Sequence, residues 1–195
     1  MTEVVLYHHV QGLTEGVQRF AEELRRSGHT VHTPDLFDGR TFDTIDEGMA
    51  FAREVGFGAL AEQGVAAAED VRPEAVYAGF SFGVMAAQQL AQTRPGARGA
   101  LRMYSCLPVS EFGGAWPEGV PVQVHGKAAD PFFADDLEAA QALVDSTEQA
   151  ELFLYPGEEH LFADSSLPAY DAAAAALLTE RVLAFLDTVR AYEKS

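Results

Sequence analysis

The octapeptide Val76-Tyr77-Ala78-Gly79-Phe80-Ser81-Phe82-Gly83 joins two segments of opposite character. Ala75 to Phe80 reads as a short strand buried on both faces. Phe82 to Thr93 reads as a helix whose Val84, Met85, Ala87, Leu90 and Ala91 form a buried stripe, stopped by Pro95-Gly96. Ser81 stands at the hinge, with Gly79 and Gly83 two residues to either side. So sharp a junction forces the serine into a positive-φ backbone with its hydroxyl clear of the sheet. The flanking glycines let strand and helix approach closely enough for the bend. This is the G-x-S-x-G elbow in a strand–turn–helix setting. Three fixed positions arise by chance, so the surrounding chain must support the reading.

Before the elbow, Val4 to His8 is a near-continuous apolar run that predicts the first strand. Thr14 can cap a helix carrying Val17, Phe20, Ala21 and Leu24, with Arg25 and Arg26 in its last turn and Gly28 ending it. Thr30 to Leu36 predicts a second strand, closed by Pro34-Asp35 and Asp38-Gly39. Residues 41 to 70 lean helical and are interrupted by Gly56, Gly58 and Gly64. After the elbow helix, strands are expected over Ala100–Cys106, Val120–Gly126 and Glu151–Tyr155, with a helix over Leu137–Val144. Pro168 can open a last helix with Leu177, Leu178, Val182, Phe185, Leu186 and Val189 on one face. Alternating strands and helices predict an α/β fold: a three-layer sandwich around a mostly parallel six-stranded sheet.

The 195 residues suffice for a single domain, 1–195, with a sizeable core. Thirty acidic against 13 basic residues give a formal charge of −17, a surface that repels phosphate backbones and anionic lipid. Neither nucleic acid nor membrane is therefore an expected partner. Cys106 is the single cysteine, so no disulfide framework or cysteine metal site is expected, and a lone strand cysteine reads as packing. The N-terminus lacks a basic stretch followed by an apolar region, and a cytoplasmic location is expected.

In a parallel sheet the site lies beyond the carboxyl ends of the strands. Ser81 follows the third strand, Asp130 the fifth and His160 the sixth. A serine hydroxyl needs a base within reach, imidazole titrates near neutrality, and a carboxylate can hold the imidazole tautomer. The order Ser, Asp, His is the one used with this kind of elbow. Each has a bland alternative: Ser81 as a turn serine, Asp130 as a helix cap, His160 as a loop histidine. Asp135 and Asp136 are alternative acids that could instead begin a helix. An oxyanion hole would draw on the Phe82 backbone N–H and on a second donor in the loop His9–Gly12. Phe37, Phe133 and Phe162 are candidate pocket walls or core. His8, His9, Asp35, His125 and His160 could crowd one sheet edge, but adjacent His8 and His9 face opposite ways and no compact zinc spacing occurs, so no metal is expected.

Gly79-Phe80-Ser81-Phe82-Gly83, His160-Leu161-Phe162-Ala163-Asp164-Ser165-Ser166 and Glu180-Arg181-Val182-Leu183-Ala184-Phe185-Leu186 resemble the dienelactone hydrolase family. The resemblance implies a minimal α/β-hydrolase fold with the sheet order second, first, then third to sixth. It implies ester-cleaving chemistry and assigns the second oxyanion donor to Val10; the serine mechanism itself needs no cofactor, and the expected partner is a small-molecule ester. Ser81 stands where the best-known members carry cysteine. His9 takes the place of a glutamate that touches the resting nucleophile. Asp164 takes the place of an arginine that holds a substrate carboxylate, so neutral esters are expected to be preferred over carboxylate-bearing ones. The combined expectation is a serine hydrolase for a small carboxylic ester, lactone or thioester. The alternatives are an acyltransferase or peptidase on the same residues, or a non-catalytic α/β binding module.

Overall fold

The computed structural model describes residues 1–192. Six strands make one parallel sheet: β1 (Glu3–Tyr7), β2 (Thr30–His32), β3 (Ala75–Phe80), β4 (Gly99–Met103), β5 (Val122–Lys127) and β6 (Ala150–Tyr155). Their order in space is β2-β1-β3-β4-β5-β6. Register sets Tyr7 beside Gly79 and Phe80 beside Met103, so the carboxyl ends of the central strands meet around the elbow.

Both faces of the sheet are covered, which is why Val4–Tyr7 of β1 and the whole of β3 read as unbroken apolar runs. Val4, Leu6, Val76, Ala78, Leu101 and Met103 point to one side, where α1 (Glu15–Arg26) supplies Phe20 and Leu24 and α6 (Ala172–Tyr192) supplies Leu178, Val182 and Leu186. Val5, Tyr7, Ala75, Tyr77 and Ala100 point to the other. There α2 (Ile45–Val55), α3 (Phe57–Ala66), α4 (Val84–Thr93) and α5 (Leu137–Ser146) pack. The expected three-layer α/β architecture is the one observed.

Several boundaries differ from the sequence reading, each for a local reason. β2 stops at His32 rather than Leu36, because Pro34 has no N–H to give to the sheet. β4 stops at Met103 rather than Cys106, because Tyr104 takes φ +72° and turns the chain. β5 starts at Val122, just after Pro121, rather than at Val120. The last helix begins at Ala172, not Pro168. Asp171 accepts the Ala173 and Ala174 N–H groups at 3.2 and 3.1 Å and so acts as its cap. In the poorly marked region, Thr44 and Glu47 form a reciprocal capping box that opens α2. Gly56 at φ +99° ends α2 and starts α3. Among the described residues no helix is long and apolar enough to cross a membrane.

Candidate active site

Ser81 has φ +48°, the left-handed conformation that the elbow requires. The two glycines beside it are sterically obligatory. A Cβ on Gly79 would stand 2.4 Å from the carbonyl carbon and oxygen of Gly83, and a Cβ on Gly83 would stand 2.6 Å from the carbonyl oxygens of Tyr7 and His8. Residues Ser81–Gly83 form a single 3₁₀ turn before α4, in place of the expected α-helical start at Phe82.

Ser81 Oγ lies 2.8 Å from His160 Nε2, and His160 Nδ1 lies 2.6 Å from Asp130 Oδ2. Asp130 is buried, and its other oxygen accepts the Phe132 N–H at 2.9 Å. With Nδ1–H donating to Asp130, Nε2 is left to accept the serine proton. Of the alternative acids, Asp135 is exposed. Asp136 is engaged elsewhere: its Oδ2 accepts Ser105 Oγ–H at 2.7 Å and Cys106 N–H at 3.0 Å.

The loop carrying His160 is held from several sides. Lys127 Nζ, buried at the end of β5, donates to Glu159 at 2.6 Å and Asp171 at 2.7 Å and lies 5.2 Å over the Phe162 ring. Burial alone would lower the Lys127 pKa, but its bonds to Asp171 and Glu159 raise it. Tyr104 OH accepts the Ala163 N–H at 2.9 Å, and its ring packs 5.6 Å from the imidazole of His160. Ser81, Tyr104 and Leu161 are three of the four non-glycine residues with positive φ among the described residues, so backbone strain is concentrated here.

Asp164 reaches back to the loop after β1. Its Oδ2 accepts His9 Nε2–H at 2.8 Å and the Thr14 hydroxyl, while Oδ1 accepts the Ser166 N–H at 2.9 Å. Burial would raise its pKa, but the bonds from His9, Ser166 and Thr14 outweigh it and bring it to about 2. His9 Nδ1 accepts the Gln11 N–H at 3.2 Å, and His9 O accepts the Gly12 N–H at 3.0 Å. Together these bonds fix the turn that presents Val10. Gly48 of α2 packs on the Val10 carbonyl, where a Cβ would come within 2.0 Å of the oxygen.

A cavity of about 290 Å³ opens beside Ser81, and Val10, Phe82 and His160 share its wall. Its apolar lining comes from Ile45, Met49, Phe57, Met85, Leu107 and Phe132. Tyr104, Ser105 and Asp136 complete it. The pocket residues expected from sequence are elsewhere. Phe37, Phe133 and Phe162 are fully buried in the core. Phe133 fills the space over Gly126, so that it is the neighbouring Phe132 that faces the cavity. His9 and Asp164 are buried against each other outside the lining, so Asp164 does not stand where it could meet a substrate. Helical spacing in residues 45–57 was the available signal for Ile45, Met49 and Phe57, but nothing in it distinguished wall from core.

The histidines weighed as metal ligands are each committed to protein groups. His8 Nε2 accepts the Leu36 N–H at 3.0 Å, and its Nδ1 donates to His9 O at 2.7 Å. Burial lowers the His8 pKa to about 4. His125 lies between Tyr155 OH and Gln123, and burial lowers its pKa to about 3.

A parallel sheet in this order, with an elbow serine beyond its third strand and a histidine beyond its last, defines the α/β-hydrolase fold. The chain belongs to the dienelactone hydrolase family, which matches residues 1–190, and this places it among hydrolases. No curated protein matches the chain. Among solved structures it is similar to a dienelactone hydrolase-like promiscuous phosphotriesterase from metagenomic libraries. That pair is 19% identical, with 97% of this chain and 87% of the other covered at a TM-score of 0.75. It is also similar to a dienelactone hydrolase from Anabaena variabilis, with 20% identity, 92% and 84% covered and a TM-score of 0.63. A third is esterase 2 of Thermogutta terrifontis in its sarin-phosphonylated form, with 16% identity, 96% and 84% covered and a TM-score of 0.65.

Proposed function

We propose that this protein is a serine hydrolase that cleaves small carboxylic esters, lactones or thioesters through an acyl-enzyme. The observation that carries the reading is the unbroken relay Ser81–His160–Asp130, at 2.8 and 2.6 Å, on the wall of an apolar cavity. Ser81 Oγ attacks the substrate carbonyl while His160 Nε2 takes its proton. Asp130 keeps the imidazole oriented and stabilises its protonated form. The N–H groups of Phe82 and Val10 receive the developing oxyanion. The Val10 N–H donates to no carbonyl among the described residues and so is available for that bond. His160 then returns the proton to the leaving alcohol or thiol. Water, deprotonated by the same imidazole, cleaves the acyl-serine and regenerates the free hydroxyl.

That a structural neighbour from Thermogutta terrifontis is phosphonylated by sarin is in keeping with this chemistry, since such reagents trap an activated hydroxyl. The test is labelling of the intact chain by a fluorophosphonate together with hydrolysis of a panel of small esters. Ser81→Ala is expected to abolish labelling and to lower kcat by roughly 10⁴–10⁶-fold while the protein stays folded. Near wild-type turnover in that variant would exclude the covalent route.

A further inference from the structure

The cavity beside Ser81 is one-sided in charge. Neither lysine nor arginine contributes to its lining, and its one ionisable side chain besides His160 and Tyr104 is Asp136. Asp136 directly precedes α5 but caps none of that helix's N–H groups. Its carboxylate is turned instead toward the segment after β4, where Oδ2 takes both Ser105 Oγ–H and Cys106 N–H. No lysine or arginine forms an ion pair with it among the described residues. The buried Arg102 feels it through space, but that guanidinium donates to Cys106 Sγ at 2.9 Å, stacks over Trp116 and lies outside the lining. A half-buried carboxylate with no ion-pair partner, sharing a cavity wall with methionine, phenylalanine and leucine side chains, acts through a medium that screens less than bulk water. The cavity volume of about 290 Å³ also favours a small group, since it lies at the low end of the range for small-molecule sites.

We propose that this cavity takes esters and thioesters whose group beyond the scissile bond is short, apolar and free of carboxylate, and that Asp136 determines this specificity by excluding anions while admitting a cation. The proposal rests on the Ser81 hydrolase reading and names its substrate class. It transfers the charge selection expected of Asp164 to a residue that lines the cavity. The net charge of −17 also disfavours anions, but it does so at long range and is shared by every carboxylate on the surface. Local and global effects can therefore be separated by moving the same charge change between neighbouring positions.

The experiment uses three matched thioacetates whose thiol portion ends in a tert-butyl, a trimethylammonium or a carboxylate group, followed by thiol release at low salt. The wild type, Asp136→Asn and Asp135→Asn are compared. The amide introduced by Asp136→Asn keeps an oxygen that can accept from Ser105 and Cys106, and thermal melts check that the variant is folded. In the wild type, kcat/KM for the carboxylate compound is expected to be at least about tenfold below that of the tert-butyl compound, with the cationic compound no worse than the neutral one. Asp136→Asn should narrow the neutral-to-anionic ratio to about threefold or less, and Asp135→Asn, exposed one residue away, should leave it unchanged. Equal rates for neutral and anionic compounds in the wild type overturn the proposal. So does equal narrowing by the two variants, or no narrowing by Asp136→Asn. Fluorophosphonate labelling of Ser81 without turnover of the neutral thioester overturns the assigned substrate class but not the hydrolase reading. Absence of both labelling and turnover overturns the hydrolase reading, and this inference with it.

Discussion

The elbow and the histidine loop meet at the Ser81–His160 hydrogen bond, and they are held by opposite means. The elbow is shaped by close steric contact: Gly79 against the backbone of Gly83, and Gly83 against the end of β1. The histidine loop is shaped by polar groups from distant parts of the chain. Lys127 grips Glu159, Tyr104 receives the Ala163 N–H, and His9 and Thr14 hold Asp164. The first device depends on the absence of atoms, so almost any side chain breaks it. The second depends on matched donors and acceptors, so its failure should depend on charge and pH.

The largest effect is expected at the elbow. A Cβ added by Gly83→Ala would overlap the carbonyl oxygens of Tyr7 and His8. β1 is paired on both sides, with β2 and with β3, and cannot withdraw without disturbing the sheet. Overpacking against backbone should cost about 3 kcal/mol or more. For a chain of this length that corresponds to a Tm lower by roughly 10 °C. Gly58→Ala provides the contrast, because a Cβ at that position in α3 meets nothing within 4 Å. It should raise stability by up to about 1 kcal/mol through helix propensity alone. Similar Tm values for the two variants would remove the steric account of the elbow.

Asp164→Asn addresses the polar side of the comparison. An amide offers one acceptor oxygen where the carboxylate satisfies donors with both, so at least one of His9, Thr14 and Ser166 loses its partner. The Asp164 pKa is depressed, so the stability that it contributes is present above the ordinary carboxylate range and is lost as pH falls toward about 2. Denaturant titrations should show the wild type ahead by about 2 kcal/mol at neutral pH, with the gap closing below about pH 4. A gap that persists undiminished to the lowest pH would assign the effect to packing rather than to the ionised carboxylate.

The same division decides what could be read from the sequence. The alternation of elements and the serine's conformation follow from apolar runs and from two glycines at fixed spacing, all local signals, whereas the strand order was implied by the family resemblance alone. That Asp130 and His160 share an edge with Ser81 was also legible, because the carboxyl ends of parallel strands lie together. The cavity wall was not. Phe132 and Phe133 are adjacent and chemically identical, and only the turn after Asp130 decides that one faces the cavity and the other fills the core over Gly126. Nor was the His9–Asp164 bond legible from residue patterns, since its partners are 155 positions apart. Tyr104 gave no warning of its positive φ: a bulky residue after a strand ordinarily continues it.

The smallest effect is expected on the cavity wall beside the histidine loop. Phe132 is 54% exposed, and its ring centroid lies 5.0 Å from that of His160. Its contribution to the relay is a backbone one, the N–H donated to Asp130 Oδ1 at 2.9 Å, and alanine retains that group. Phe132→Ala should therefore leave the orientation of Asp130 intact while removing one apolar wall of the cavity. Stability should change by no more than about 0.5 kcal/mol, as for most exposed positions. The kinetic change should fall on KM, which should rise by about three- to tenfold for esters whose apolar group reaches that wall. With the shortest acetate ester, which is too small to touch it, KM and kcat should both stay within about twofold of wild type. A drop in kcat for every ester, the shortest included, would instead mean that the Phe132 ring positions His160 itself, and the histidine loop would then depend on a steric contact as the elbow does.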